Sequence, residues 1–159
     1  MRAAHAAALI PTVAAAVLVA APVDAATIRL TTTEQAFLTA VNDARAQHAL
    51  PPVRLDPNLV RAARSHSAGM VRTGTFAHGD FLRRLVRFGA DGPIVGEDLG
   101  WTVDDQDASG RVVSWWLTSP RHRAVLLRRG FRLVGIGVAR GPFLGRMRCV
   151  VVTADFQGR

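Results

Sequence analysis

Apolar residues cluster at the start of the chain, recur at helical spacing through its middle, and alternate with glycine near its end. The first stretch opens with Arg2 and is apolar from Ala6 to Val19, broken by Pro11 and Thr12. Val23-Asp24-Ala25 follows, with small residues at the two positions a signal peptidase reads. Residues 1–25 therefore have the pattern of a secretory signal peptide cleaved after Ala25. Retention as a membrane anchor is the alternative, although Pro11 leaves the run short of the about 20 residues that a span needs. Residues 26–33 lead into one domain at 34–157.

Within that domain, Thr31-Thr32-Thr33-Glu34 is a capping box that opens a helix. Phe37, Leu38, Val41 and Ala44 share one face of it, with Asn42, Asp43, Arg45 and Gln47 opposite. The helix ends near His48-Ala49, ahead of Pro51-Pro52. Asp56-Pro57 starts a second helix as N-cap and first-turn proline. Leu59, Ala62, Ala63, His66 and Met70 form its inner stripe, and Gly74 stops it. Asp80 to Phe88 is a short basic helix ended by Gly89, and Ile94-Val95-Gly96-Glu97 is a short strand. After an acidic loop (Asp104, Asp105, Asp107), Ser109 begins a helix through Trp116, and Ser119-Pro120 turns the chain through Leu127. From Leu133 to Ala139 glycine alternates with branched residues, so one strand face is bare backbone and something packs close to it. Gly141-Pro142 to Gly145 is a hairpin loop, and Met147 to Phe156 is the return strand. Helices first, then an antiparallel hairpin beside an early strand, predict an α+β domain with helices on a small, mainly antiparallel sheet.

Composition adds charge and redox. The 159-residue chain has a formal charge of +8, and all 20 of its basic residues are arginine. That favours anionic partners outside the cell: wall polymer, lipid headgroups in peripheral membrane contact, or polysaccharide. No nucleic-acid motif accompanies the charge, and tyrosine is absent, so nucleic acid is not an expected partner. Cys149 is the only cysteine and can form no internal disulfide; in Arg148-Cys149-Val150-Val151-Val152 it reads as a small core residue of a buried strand.

Candidate chemistry lies in three fragments. His78 is in a loop after the second helix, Glu97 ends the short strand, and His122 is in the turn after Ser119-Pro120. Two imidazoles and a carboxylate suit zinc or another divalent cation with water as fourth ligand. The same trio also suits general acid–base work. Intervals of 19 and 25 residues do not force the three together. Trp101, Trp115 and Trp116 are candidates to line a ligand groove. His66 reads as a core histidine and His48 as a helix-end residue favoured by the dipole. No G-x-S-x-G elbow surrounds any serine.

The fragments also carry a resemblance. Val41-Asn42-Asp43-Ala44-Arg45, Leu55-Asp56-Pro57-Asn58-Leu59, Phe76-Ala77-His78, Gly96-Glu97-Asp98, Ser119-Pro120-Arg121-His122-Arg123 and Val134-Gly135-Ile136-Gly137-Val138 stand in one order. From about Gln35 to Phe156 the chain resembles the superfamily of cysteine-rich secretory proteins, antigen 5 and plant pathogenesis-related proteins (CAP, or SCP-like), in its compact bacterial form. The resemblance implies an α-β-α sandwich whose open cleft is lined by His78, Glu97 and His122. Where many members have a second glutamate this chain has Ser119, and where they have Gly-Glu-Asn it has Asp98. Asp98 either faces the cleft or caps backbone, and capping is the expectation. The expected function is a secreted or periplasmic domain binding a divalent cation and an extracellular lipid, sterol or wall glycan. The alternatives are a metal-assisted peptidase or amidase with Glu97 or a metal-bound water as base, and a wall-adhesion module acting through Arg83, Arg84, Arg87, Arg121, Arg123, Arg128 and Arg129.

Overall fold

A computed structural model describes residues 28–90, 92–104 and 106–158 of the chain. The signal segment expected at 1–25 lies outside the described residues. Among the described residues the order is α1 (Thr32–Gln47), β1 (Arg54–Leu55), α2 (Pro57–Thr73), α3 (Phe81–Arg87), β2 (Ile94–Val103), α4 (Ala108–Thr118), α5 (Pro120–Leu126), β3 (Phe131–Phe143) and β4 (Arg146–Gly158). The sheet order is β1-β3-β4-β2, with β1 parallel to β3 and the other pairs antiparallel. The α2 helix packs on one face of this sheet with α3 against it, while α1, α4 and α5 cover the other. The expected α-β-α sandwich and mainly antiparallel sheet are both present.

Local chemistry explains the helix starts. Thr31 and Glu34 make the reciprocal capping box of α1. Asp56 Oδ1 accepts from the N–H groups of Asn58 and Leu59 at the start of α2. The sheet explains the position of α2. A Cβ added to Gly135 would lie 2.0 Å from the Leu59 carbonyl carbon, and one added to Gly137 would lie 2.1 Å from the Arg64 nitrogen. The bare face predicted for this strand is where the α2 backbone rests on β3. The main core lies on the opposite face, where Phe37, Val41, Val112, Trp116, Ile136, Val152 and Phe156 are buried together.

Four expectations need correction. The strand at Ile94 does not stop at Glu97; it pairs with β4 from Ile94↔Gly158 to Val103↔Cys149, because the apolar run of β4 offers it a continuous partner. The turn after Ser119-Pro120 is a seven-residue helix with Pro120 in its first turn. The hairpin loop is shorter than Gly141 to Gly145, since strand pairing continues through Phe143 and only Leu144-Gly145 turn. Arg45, placed on the polar face of α1, is fully buried. Its guanidinium donates to the carbonyls of Pro51, Leu126, Arg128 and Phe131, and so ties α1 to the end of α5 and the start of β3.

Candidate functional site

Strand β2 lies at an edge of the sheet, and its alternation sends neighbouring side chains to opposite faces. Glu97 faces α2 and α3. Asp98 faces the other layer, on the side where Gly96 and Gly100 lie beneath Val125, Phe131, Val112 and Trp116. The loop from α2 to α3 brings His78 to Glu97, and the α4–α5 junction brings His122 and Ser119 from the opposite layer.

Glu97 is the hub, with a side chain only 2% exposed. His78 Nδ1 donates to its Oε1 at 2.7 Å, which leaves Nε2 of this exposed ring without a protein partner among the described residues. Arg84 Nη2 donates to Oε2 in a close charged contact. The same guanidinium donates through Nη1 to the His78 carbonyl and to His66 Nδ1, each at 3.1 Å. Since Nδ1 of His66 accepts, its proton sits on Nε2, which points at Glu97 Oε2 from 3.9 Å. Burial, then the Arg84 charge, push the His66 pKa down and keep the ring neutral. Cross-strand from Glu97 is Asp155, fully buried on β4. No N–H or hydroxyl donor among the described residues reaches either of its oxygens; its neighbour is the Glu97 carboxyl. Burial first, then the charge on Glu97, raise the Asp155 pKa well above the ordinary carboxylate range.

His122 Nδ1 and Ser119 Oγ are hydrogen-bonded at 2.8 Å, and the His122 ring leans on Trp115 with centroids 4.6 Å apart. Burial, then the proximity of His78, lower the His122 pKa. The two histidines thus approach each other across the edge of β2, but among the described residues His122 makes no hydrogen bond or ion pair to Glu97 or His78. Trp115 also belongs to an apolar pocket of about 400 Å³, lined by Phe76, Trp101, Thr102, Arg111, Val112 and Trp115. Trp101 stands edge-on to Phe143 at 5.9 Å.

The arrangement therefore unites His78 with Glu97, sets His122 and Ser119 nearby, and places Trp101 in the adjoining pocket. Asp98 is not part of it. It is buried at 1% exposure with both oxygens unpartnered among the described residues, so it neither lines the cleft nor caps backbone as expected. Burial, reinforced by Glu97, raises its pKa to about 8. For a divalent cation the donor set is a poor fit as it stands. Arg84 and His78 occupy the two oxygens of Glu97, Ser119 occupies Nδ1 of His122, and among the described residues no three His, Cys, Asp or Glu side chains are grouped to hold a metal. The chemistry the cluster does offer is an imidazole oriented through Nδ1 by a carboxylate, with its Nε2 free of protein partners among the described residues.

Three participants escaped the sequence. Arg84, expected on a basic surface, has a side chain only 12% exposed; nothing in the run Arg83-Arg84 separates it from its neighbour. His66 belongs to the cluster rather than to the core, and its place on an apolar stripe was the available signal. Asp155 carried a stronger one, as a carboxylate closing an otherwise apolar strand.

The fold has solved counterparts. An extracellular protein of Bacillus anthracis containing an SCP domain superposes with a TM-score of 0.64 at 24% identity, covering 79% of this chain and 40% of that one. An outer surface protein of Borrelia burgdorferi gives 0.63 at 19% identity, covering 82% and 97%. In sequence, the chain is 30% identical over 115 residues to YlbC, an uncharacterised membrane protein of Bacillus subtilis. That match covers 69% of this chain and 32% of YlbC, so the chain spans about a third of that relative and two fifths of the Bacillus anthracis protein. Residues 38–156 match the sequence profile of the cysteine-rich secretory protein family, and the chain belongs to that family.

Proposed function

We propose that this protein is an exported domain that binds an amphipathic extracellular ligand, a lipid or a sterol, at the edge of β2. What carries the reading is Trp115, which is at once a wall of the 400 Å³ apolar pocket and the ring on which His122 leans. One ligand can thus bury an apolar body against Phe76, Trp101 and Trp115 while its polar end meets His78 Nε2 and the His122–Ser119 pair. The volume suits a small apolar body. Export is supported by the signal pattern at 1–25 and by the extracellular and outer-surface descriptions of the two solved proteins. The test is a tryptophan-fluorescence titration with sodium palmitate and with cholesteryl hemisuccinate. Saturable quenching, weakened about tenfold in Trp115→Ala, is expected. No saturation with either probe, or unchanged binding in Trp115→Ala, would overturn it.

In this reading Arg84 supplies the positive charge at Glu97, and a divalent cation at His78, Glu97 and His122 has to displace it. Calorimetric zinc titration of chelator-stripped protein is expected to show weak binding in wild type and binding about tenfold tighter in Arg84→Ala, because a buried carboxylate is released as a ligand. Equal affinity in the two proteins, with both folded by circular dichroism, rules out the competition.

A further inference from the structure

A second pocket, of about 620 Å³, lies between α2 and α3. Its walls include His66, Asp80, Arg83, Arg84 and Arg87. Among the described residues no carboxylate pairs with the Arg83 or Arg87 side chains. Asp80 is engaged as the cap of α3, where its Oδ1 accepts from the Arg83 N–H. Arg84 contributes a further sign. Its Nη atoms are used by Glu97, His66 and the His78 carbonyl, and its Nε–H is buried with no acceptor among the described residues, so Arg84 adds charge to the wall rather than a free donor. Arg84 has its anion in Glu97, whereas the exposed Arg83 and Arg87 guanidinia beside it have no carboxylate among the described residues, so the pocket carries unmatched positive charge.

From this we infer that the pocket between α2 and α3 seats a phosphate group, with the Arg83 and Arg87 guanidinia as donors and the buried Arg84 charge behind them. Guanidinium forks match phosphate oxygens, and donors converging from two side chains suit a group with several free oxygens. The surroundings favour a phosphate presented at a lipid surface. Leu82 and Val86, one turn apart on α3, are 61% and 67% exposed beside Arg83 and Arg87. An apolar ridge next to a basic ridge is what a helix needs to rest its side chains among acyl chains while its cations hold headgroups.

The probes are inorganic phosphate and glycerol phosphate, followed by calorimetry, and vesicles of phosphatidylcholine with or without phosphatidylglycerol, followed by co-sedimentation. The expected result is saturable binding of the free phosphates, weakened about tenfold in Arg83→Gln/Arg87→Gln. These residues make no contact with Glu97, so the variant keeps the cluster intact and folded. Arg121→Gln/Arg129→Gln loses the same charge elsewhere and should bind as wild type. Phosphatidylglycerol-dependent sedimentation lost in Leu82→Ser/Val86→Ser, with free phosphate binding kept, identifies the lipid headgroup as the source. Free phosphate binding without sedimentation identifies a soluble phosphate ester. The site is refuted by absence of saturable binding in both arms, or by equal losses in the two arginine double variants. Palmitate quenching at Trp115 reads the other pocket, so either proposal can fail alone.

Discussion

At the scale of single residues, the unusual positions are the carboxyls buried on the sheet. Asp98 has no partner to offset burial, and its pKa is raised from 3.8 to about 8. A group whose proton is held more tightly in the folded state contributes its full stability below pH 3.8, and that contribution is lost as pH rises through about 8. Asp98→Asn keeps the shape and removes the titration. It should raise the melting temperature at about pH 9 by several degrees and flatten the decline that wild type shows between about pH 4 and pH 8. Melts of the two proteins that overlay at every pH would contradict this account. Residue identity alone did not reveal the difference between Glu97 and Asp98. They are adjacent and chemically alike, and only strand alternation places one in the cluster and the other in the core layer.

At the scale of elements, helix starts and glycine spacing were legible because their causes are local. The Thr31–Glu34 box, the Asp56-Pro57 start and the alternation around Gly135 and Gly137 each declare a backbone requirement within a few residues. The length of β2 was not legible, because it depends on β4 about fifty residues later. Arg45 was misplaced for the same reason: its acceptors are carbonyls at positions 126, 128 and 131. Of the site, His78, Glu97 and His122 were named from sequence, whereas Arg84 and Asp155 reach Glu97 through tertiary packing. Two substitutions measure these element contacts. Gly137→Ala forces a methyl into the α2 backbone and should lower unfolding free energy by about 3 kcal/mol in urea denaturation. Arg45→Met leaves buried carbonyls without donors and should lose about 3 kcal/mol. A loss under about 1 kcal/mol in either would mean that the layers re-space more easily than close packing allows.

At the scale of the molecule, Arg84 is a wall of the α2–α3 pocket while it holds Glu97 in the cluster. Any coupling between ligands of the α2–α3 pocket and of the cleft has to run through Arg84, Glu97 and His78, and by linkage it shifts the two affinities by the same factor. The lone buried Cys149 has a different consequence. Within this chain the fold closes entirely by packing, hydrogen bonds and ion pairs, although its family takes its name from cysteine. Thiol reductants should leave the melting temperature unchanged, which a melt with and without dithiothreitol checks directly. Folding is thereby freed from any dependence on where oxidising equivalents are found. No step of this chain's folding waits for a disulfide of its own, so it is expected to refold alike in reducing and in oxidising buffer.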